Sequence, residues 1–495
     1  MKPVDGARIA EIVHGQSANG ADDAIVTGIA RIDSRDIAPG DLFVAFKGEG
    51  LDGHDFVDQA VQAGAALSLV QRPVAGPHIV VSDTTQAISE LARVLLQELR
   101  PACRVVAVTG SSGKTTTKDL LASVLSAAAP TVAPPGSFNN EIGLPLTVLR
   151  ADGGTRFLVL EMGARAEGNI AWLCSLAPPD VSIALNVGSA HVGEFGSLEA
   201  TARVKGEIVE NLAPGGTAII NADDPRVLAM AQRTAGPVLR FSTDPSTKVE
   251  VSASQIAVGP DGRARFTLRI TGQPDTAVHL QLIGRHQVHN ALAVAAASFA
   301  LGVSSEDIAA GLSSAPPSSP MRLQVVPCVN GSLVINDSYN ANPESMRAGL
   351  QAMRDLAANH RRGLVLGDML ELGEFATAEH VALGASAANL QADWLVAVGS
   401  HAGDVLQGAV EAGMGANAVV AVDNAEAALI AACTCCSTTS KRKSKPKRSV
   451  IKDAPPLLTE VICSRPGIWP NCRSKGAVIE EVVTSGLAPG YKVVT

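Results

Sequence analysis

Short apolar runs alternate with longer amphipathic segments along most of this chain. Residues 42–46 and 67–70 have the length and apolar character of buried strands. Residues 56–63 and 85–99 instead repeat apolar side chains at helical spacing. Because strands and helices alternate in this way, the pattern predicts an α/β fold in which helices join parallel strands.

The alternation divides the chain into three structured blocks, 1–100, 101–315 and 316–432, and a tail, 433–495. Three prolines within residues 316–320 are typical of a hinge between the second and third blocks. The strands expected in the second block, after an apolar run at 104–109, are 157–161, 181–187 and 217–221. Those expected in the third block are 332–336, 363–367, 394–398 and 418–423. We therefore expect a central domain with a largely parallel sheet and a C-terminal domain with a second, Rossmann-like open sheet.

The composition is that of a globular protein with a large core. Hydrophobic residues make up 46% of the 495 residues, and the mean hydropathy is +0.20. No stretch reaches the roughly 18 charge-free apolar residues that a membrane span needs, and the N-terminus lacks the apolar segment of a signal peptide. The net charge of −8 argues against electrostatic binding to nucleic acid. We therefore expect a cytoplasmic monomer with no membrane span and no nucleic-acid partner.

The tail differs sharply from the rest of the chain. It holds five of the eight cysteines, and it carries 11 lysines and arginines against 4 acidic residues although the whole chain is acidic. Its cysteines are Cys433, Cys435, Cys436, Cys463 and Cys472. So abrupt a change favours a reading-frame change in the gene. A genuine basic appendage and a cysteine-based zinc site are the alternatives, although Cys435-Cys436 lacks the spacing of a zinc ribbon. We expect the chain after about residue 432 to be poorly ordered and poorly packed, since the basic run 441–448 cannot bury apolar surface.

The most distinctive motif is Gly110-Ser111-Ser112-Gly113-Lys114-Thr115-Thr116. It lies between the apolar run at 104–109 and a helix-compatible run at 117–125. This is the layout of a phosphate-binding loop, in which backbone N–H groups surround the anion, the lysine reaches the β- and γ-phosphates and a hydroxyl ligates Mg²⁺. Two residues separate the glycines, whereas the strict motif has four. The alternative is a Gly/Ser turn before an ordinary helix, but the flanking elements favour nucleotide binding.

Three more polar residues stand close to the expected strand ends. Glu161 ends the strand at 157–161, where open α/β sheets bind ligands and where a carboxylate suits Mg²⁺. Considered alone, Glu161 fits a solvated residue at a strand end as well as it fits a Mg²⁺ ligand. His191 follows the strand at 181–187 and Lys205 lies in a helical segment. Taken singly, a histidine in this position is more often a structural residue than a ligand. A single lysine on a helix is usually a solvated surface residue.

Taken together, these residues resemble the ATP-dependent Mur ligases of peptidoglycan synthesis. The motifs occur in the order seen in that family: 109–116, 161–164, His191, 205–207, 284–293, Arg322 and Asp337. Segments 33–35, 39–45 and 52–56 resemble the family domain that holds the UDP-sugar. The resemblance runs from about residue 25 to about residue 430. It implies a UDP-sugar-binding domain at 1–100, an ATP-binding domain at 101–315 and a ligase domain at 316–432.

The resemblance also implies a role for each candidate site residue. The implied catalytic residues are Lys114, Lys205 and His191. The implied Mg²⁺ ligands are Thr115, Glu161, His191 and Lys205, the last as the carbamate that the family forms on this lysine. The implied ATP contacts are Gly110, Ser111, Ser112, Gly113, Lys114, Thr115, Thr116, Asn290, Arg322 and Asp337. Arg322 and Asp337 would reach the nucleotide only when the C-terminal domain closes. The implied substrate contacts are Ser34, Arg35, Asn139 and Asn140.

Two segments, 136–145 and 337–343, resemble the branch of the family that adds D-alanyl-D-alanine to UDP-MurNAc-tripeptide. The Asp-Asn-Pro-Arg-like motif of the branch that adds the third amino acid is absent. The implied reaction uses ATP and Mg²⁺ to convert a carboxylate of the tripeptide into an acyl phosphate, which the amine of D-Ala-D-Ala attacks.

Other functions stay open at this point. One alternative is that the chain is a sister amide ligase, of the MurE or folylpolyglutamate synthetase type. Another is that it is a relative that binds nucleotide but is inactive. The latter alternative arises because the final strand, Lys-Gly-Ser-like loop and last helix of the family do not follow residue 432.

Overall fold

The computed structural model describes residues 1–48, 50–189, 192–328, 332–357, 360–440 and 458–460. Within these residues, three sheet-containing regions follow one another along the chain. The described part contains no helix that combines the length and the apolar character needed to cross a membrane.

The N-terminal region is built on a five-stranded sheet in the order β2-β7-β6-β5-β4, in which only the β2–β7 pair is antiparallel. The strands are β1 (Val4–Asp5), β2 (Gln16–Ala18), β3 (Ile25–Val26), β4 (Ala30–Arg31), β5 (Leu42–Val44), β6 (Leu67–Val70) and β7 (His78–Val80). The helices are α1 (Gly6–Val13), α2 (Val57–Gln62) and α3 (Thr84–Leu99). The two strands and two helices expected here are thus confirmed.

The central region is a nine-stranded sheet in the order β16-β15-β14-β13-β12-β11-β8-β10-β9. The strands are β8 (Arg104–Thr109), β9 (Thr131–Val132), β10 (Phe157–Glu161), β11 (Val181–Ala184), β12 (Thr217–Asn221), β13 (Val238–Ser242), β14 (Val251–Val258), β15 (Arg263–Ile270) and β16 (Thr276–Ile283). The helices are α4 (Lys114–Ala128), α5 (Gly143–Val148), α6 (Asn169–Leu176), α7 (Val192–Phe195), α8 (Leu198–Glu210), α9 (Pro225–Ala229), α10 (Gln287–Ala300) and α11 (Ser305–Ser314). In sheet order, every pair of neighbouring strands from β9 to β14 is parallel. The pairs β14–β15 and β15–β16 are antiparallel, an extension that the sequence pattern did not predict.

Both faces of the parallel part of this sheet are buried, as is usual when helices cover a parallel sheet. Successive residues of β8 alternate between the two faces. Val105 and Ala107 pack in one apolar cluster with α3 and α6, and Val106 and Val108 pack in another with α4 and α10. The strand therefore lies deep in the domain, and its C-terminal end is fixed at the side of the sheet where the parallel strands end.

The C-terminal region contains two three-stranded sheets, in the orders β17-β18-β22 and β19-β20-β21. The strands are β17 (Gln324–Pro327), β18 (Leu333–Asn336), β19 (Gly363–Gly367), β20 (Trp394–Val398), β21 (Val419–Val422) and β22 (Leu458–Glu460). The helices are α12 (Pro343–Leu356), α13 (Ala376–Asn389), α14 (Ala402–Glu411) and α15 (Ala425–Ser440). All four expected strands form. The expectation of a single open sheet is corrected, since β18 pairs with β17 and β22 rather than with β19.

The expectation that the chain lacks regular structure after residue 432 is wrong for two segments. Helix α15 continues to Ser440, and Leu458–Glu460 pairs in parallel with Leu333–Ile335 of β18. A strand that continues the β17-β18 pair satisfies backbone groups that an open edge would leave to solvent. The basic run 441–448 and the rest of the tail lie outside the described residues.

Candidate active site

The phosphate-loop motif lies between β8 and α4, at the C-terminal edge of the central sheet. Gly113 precedes the helix with φ of +80°, a left-handed conformation that favours glycine. A Cβ atom at this position would also lie 2.6 Å from Oδ1 of Asn290 on α10. Position 113 therefore requires glycine, and Asn290 lies against the loop, while its expected contact with adenine stays a prediction.

The loop takes its shape from the chain that follows the neighbouring strand β11. The backbone N–H of Ser112 donates to Oδ1 of Asn186 (2.9 Å), and Nδ2 of Asn186 donates to the Ser112 carbonyl (3.1 Å). The Ser111 hydroxyl donates to the Gly188 carbonyl (3.2 Å) and accepts from the Gly188 N–H (2.8 Å). The loop is thus anchored by reciprocal hydrogen bonds to residues about 75 positions later in the chain.

Lys114 is the first residue of α4, and Thr115 and Thr116 complete the start of its first turn. The Lys114 Nζ donates to the carbonyl of Gly110 (2.7 Å), so the ammonium lies over the loop. Burial lowers the pKa of Lys114, Glu161 opposes this shift, and the charge of Arg322 adds to it. A cation in this position is suited to the negative charge of a triphosphate.

Side-chain oxygens converge next to the loop. The hydroxyls of Thr115 and Ser137 lie 2.7 Å apart, and the Ser137 hydroxyl donates to Glu161 Oε1 (3.1 Å). The Asn139 amide donates to the same carboxylate oxygen (2.7 Å). Glu161 is the last residue of β10 and is 1% exposed, so its carboxylate faces the interior of the site. Thr115, Ser137 and Glu161 together form a compact set of hard oxygen donors.

The segment that carries Ser137 and Asn139 is tied to α4 by a buried lysine. Lys118 lies one turn after Lys114, and its Nζ donates to the carbonyl of Pro134 (3.0 Å) and pairs with Asp119 (2.5 Å). A buried ammonium needs such partners, because burial of an unpaired charge is costly. Lys118 therefore holds this segment against the helix that begins at the phosphate loop.

Lys205 lies on α8 and is 3% exposed. Burial lowers its pKa well below the ordinary value, and the charge of Lys114 lowers it further. The two lysines therefore share one electrostatic environment. A lowered pKa favours the neutral amine, which is the form that reacts with electrophiles such as carbon dioxide.

The C-terminal domain contributes Arg322 and Asp337. The Arg322 Nη2 donates to the Thr115 hydroxyl (3.2 Å), and the guanidinium lies 4.0 Å from the ring centroid of Tyr339. Asp337 Oδ1 accepts from the backbone N–H of Leu323 (3.2 Å). Burial raises the pKa of Asp337 to about 7, although Arg322 and this N–H favour its charged form. Thus Arg322 contacts Thr115 across the domain boundary, and Asp337 lies beside Arg322 in the C-terminal domain.

The backbone around Arg322 is strained. Its neighbours Met321 and Leu323 have φ of 59° and 48°, in the left-handed region that few residues other than glycine adopt. Each such residue costs roughly 1–3 kcal/mol and persists only where the surrounding contacts impose it. The contacts of Arg322 with Thr115 and Tyr339 are among those that lie at this strained segment.

Other predicted residues lie elsewhere or outside the described residues. Asn140 accepts from the N–H of Gly143 (2.9 Å) at the start of α5. Ser34 donates to Gln59 (2.9 Å), and Arg35 pairs with Asp33 (2.6 Å), so their hydrogen bonds stay within the N-terminal region. His191 lies outside the described residues, and its predicted role stays a prediction.

Three family models match consecutive parts of the chain. They are the Mur ligase family catalytic domain over residues 26–108, the Mur ligase middle domain over 108–298, and the Mur ligase glutamate ligase domain over 321–438. The chain belongs to the Mur ligase family. The matches follow the order of the N-terminal, central and C-terminal sheets of this Mur ligase.

Individual relatives agree with the family match. A protein of Mycobacterium bovis named UDP-N-acetylmuramoyl-tripeptide--D-alanyl-D-alanine ligase is 45% identical over 440 residues, which are 81% of this chain and 86% of its own length. MurF from Acinetobacter baumannii superposes with a TM-score of 0.78 at 33% identity, over 93% of this chain and 96% of its own. MurF from Thermotoga maritima in complex with ADP gives 0.70 at 27% identity, over 92% and 96%. The three-domain α/β architecture expected for this Mur ligase is thereby confirmed.

Sequence reasoning missed Ser137, Asn186 and Lys118. Ser137 lies in the segment 136–145, which resembles the branch of the family that adds D-alanyl-D-alanine, but a single serine does not by itself indicate a metal or nucleotide site. Asn186 follows β11 and holds the loop through two hydrogen bonds. The position of an asparagine after a strand of the sheet was the one available signal for it.

Proposed function

We propose that this Mur ligase joins D-alanyl-D-alanine to UDP-MurNAc-tripeptide at the expense of ATP. Its relatives in Mycobacterium bovis and Acinetobacter baumannii bear the name of that ligase, and their similarity extends over most of the chain. The observation that carries the proposal is the arrangement at the ends of β8, β10 and β11. There a phosphate loop with Lys114 and a cluster of hard oxygens lie together, and the charge of Lys114 acts on the buried Lys205 of α8.

The residues of the site fit Mg²⁺. The hydroxyls of Thr115 and Ser137 and the carboxylate of Glu161 are oxygen donors already within hydrogen-bonding distance of one another. The described contacts of the buried Glu161 carboxylate are with neutral hydroxyl and amide groups, so a cation here compensates a charge that burial disfavours. These three residues would hold one Mg²⁺, which when bound neutralises phosphate charge.

Lys205 fits the carbamate that the resemblance implies. Its buried amine has a strongly lowered pKa, and a neutral amine is the form that adds to carbon dioxide. Addition forms an N–C bond while one C–O π bond of carbon dioxide opens and one proton is released, so the neutral amine becomes an anion with two oxygen donors. We propose that this anion faces Lys114 and, with His191, holds a second Mg²⁺.

The chain's own residues then serve two chemical steps. In the first, a carboxylate oxygen of the tripeptide forms a bond to the γ-phosphorus of ATP while the bond to the bridging oxygen of ADP breaks. Lys114, the loop N–H groups and Arg322 neutralise charge that otherwise repels the carboxylate. In the second, the amine of D-Ala-D-Ala forms the amide bond, and inorganic phosphate and a proton leave. Closure of the C-terminal domain excludes water that would hydrolyse the acyl phosphate.

We propose that the reaction takes place in the cytoplasm, where ATP is available. Ser34 and Arg35 on the N-terminal domain are proposed to contact the UDP-sugar, and Asn139 and Asn140 to contact the peptide. Asn290 is proposed to bind adenine beside the loop, and Asp337 to complete the nucleotide site with Arg322.

The test is a reconstituted assay that follows ADP and phosphate release, with mass spectrometry of the UDP-linked product. Release should require UDP-MurNAc-tripeptide and D-Ala-D-Ala together, and the product should gain one dipeptide. Omission of each substrate in turn is the control. Turnover with a free amino acid or with a folate in place of these substrates would identify a sister ligase. Nucleotide binding without turnover would identify an inactive relative, and either result would overturn the proposal.

A further inference from the structure

Glu344 joins the C-terminal domain to the chain that supports the phosphate loop. It lies in the first turn of α12, behind the N-cap Asn342 and Pro343. Its Oε1 accepts from both the backbone N–H and the hydroxyl of Ser189, each at 2.9 Å. These hydrogen bonds connect residues 155 positions apart and cross the boundary between the two domains.

The same contact leads directly to the phosphate loop. Gly188 precedes Ser189, and its N–H and carbonyl are the two partners of the Ser111 hydroxyl. A Cβ atom on Gly188 would lie 2.7 Å from Cδ of Glu344, so the carboxyl group packs closely against the backbone there. A continuous set of contacts therefore runs from Glu344 through Ser189 and Gly188 to Ser111.

The Glu344 carboxylate lies at the start of a helix and accepts two hydrogen bonds from Ser189. The N-terminal turn of a helix stabilises a negative charge, and a hydrogen bond to an ionised group is stronger than one between neutral groups. The second oxygen, Oε2, is buried without a hydrogen-bond partner in the described part of the chain. A buried carboxylate oxygen with no partner is costly. The two hydrogen bonds to Ser189 therefore have to offset that cost when the C-terminal domain is docked on the central domain.

A second contact holds the same stretch of chain. The N–H of Gly193, at the start of α7, donates to the carbonyl of Glu371 (3.0 Å), and Glu371 has φ of 62°. A Cβ atom on Gly193 would lie 2.7 Å from this carbonyl oxygen and from the N atom of Gly373. The C-terminal domain thus contacts the central domain on both sides of position 191.

From these contacts we infer that Glu344 is a positioning residue, which couples docking of the C-terminal domain to the geometry of the phosphate loop. The inference rests on the proposed function, because docking assists catalysis only if the site binds a nucleotide. Glu344 itself does not touch the phosphate loop and acts through Ser189 and Gly188. Loss of its carboxylate should therefore shift the domains toward an undocked arrangement while nucleotide binding to the central domain persists.

Hydrogen exchange of the full-length chain tests the docking contact directly. In Glu344→Ala, the peptide that contains the Ser189 amide should lose protection by about ten-fold or more, since hydrogen bonds to a charged acceptor are removed. Glu379→Ala is the matched control: it removes the ion pair with Arg347 of the same helix (2.7 Å), which lies within the C-terminal domain. That control should leave the Ser189 peptide unchanged.

Glu344→Gln provides a second variant if Glu344→Ala does not fold. Its amide retains an oxygen that accepts from Ser189 but has no charge, so its loss of protection should be smaller than that of the alanine variant. Unchanged protection of the Ser189 peptide in whichever of the two variants folds would overturn the inference.

Steady-state kinetics provide the readout that a merely structural role would not move. We expect kcat of Glu344→Ala to fall by about ten-fold or more while the binding constant for ADP changes by less than about three-fold. Adding Ser189→Ala to Glu344→Ala should lower kcat little further, because both substitutions remove the same Ser189–Glu344 contact. Additive losses, or an equal loss of ADP affinity, would contradict the inference. Absence of ligation by the unaltered chain would overturn the proposed function instead, and the exchange result would still decide the docking contact.

Discussion

The active site has two halves that are assembled in different ways. The central half is built on one continuous stretch, 104–128, which runs from β8 through the phosphate loop to α4, and it also includes Glu161 and Lys205 of the same domain. The C-terminal half consists of Arg322, Asp337 and Glu344, and it meets the first half only across a domain boundary. The Arg322–Thr115 bond joins residues 207 positions apart.

The difference teaches which function each half can perform alone. The direct contacts that shape the phosphate loop, at Gly113, Asn186 and Ser111, all lie within the central domain, and the C-terminal domain acts on the loop only indirectly, through Ser189 and Gly188. Nucleotide binding should therefore be a property of the central domain. The chemical step is proposed to need the guanidinium of Arg322 in addition, and that guanidinium reaches Thr115 from the C-terminal domain. Variants in the two halves should separate binding from catalysis.

The largest effect is expected for Lys114→Ala in the central half. Removal of the cation above the loop should lower kcat by on the order of 10²-fold or more, because the approach of a carboxylate to a triphosphate is then uncompensated. Phosphate release is the measurement, and circular dichroism checks that the fold is intact. Turnover close to that of the unaltered chain would contradict the assignment of the phosphate loop.

Lys205→Ala is the second test of the central half. Loss of the proposed carbamate should impair turnover strongly, and added acetate or formate should restore part of it by supplying a small carboxylate. Incubation of the unaltered chain with ¹³C-bicarbonate should give a carbamate resonance that the variant lacks. Full activity of the variant without rescue, or absence of that resonance, would count against carbamylation.

Arg322→Ala tests the C-terminal half. The loss of a cation next to Thr115 should lower kcat by about ten-fold or more, while ADP affinity should change less, because the loop and Asn290 are unaltered. Arg347→Ala is the control, since Arg347 is a half-exposed arginine of the same domain that pairs with Glu379. Comparable losses of kcat and of ADP affinity in Arg322→Ala would show that the two halves are not separable.

The smallest effect is expected for Asp337→Asn and depends on pH. The pKa of Asp337 is raised to about 7 from an ordinary value of 3.8, so the folded protein retains a proton that the unfolded chain releases. The stability contributed by this group is complete below about pH 4 and is lost as the pH rises through about 7. Asparagine does not titrate. Denaturant unfolding at a series of pH values should therefore show the variant gaining on the unaltered chain from about pH 4 to about pH 8. A difference that stays constant over that range would contradict the raised pKa.

The elements of the fold were largely predictable because they depend on local pattern. Buried strands such as Arg104–Thr109 and Trp394–Val398 are short apolar runs, and helices such as Thr84–Leu99 repeat apolar residues on one face. Strand pairing was harder to predict. The antiparallel strands β14 to β16 and the separation of β18 from β19 depend on contacts between distant segments, which periodicity does not encode.

The sequence by itself determined the α/β class, the phosphate loop and the identity of the polar residues that stand after buried strands. These follow from the spacing of apolar side chains and from the conformational freedom of glycine, both of which are local properties. Only the tertiary structure decided that Ser137 joins Thr115 to Glu161, that Lys205 is buried, and that Glu344 reaches Ser189. The physical reason is that hydrogen bonding, desolvation and charge coupling depend on distance in space. That distance is set by the packing of whole domains rather than by position along the chain.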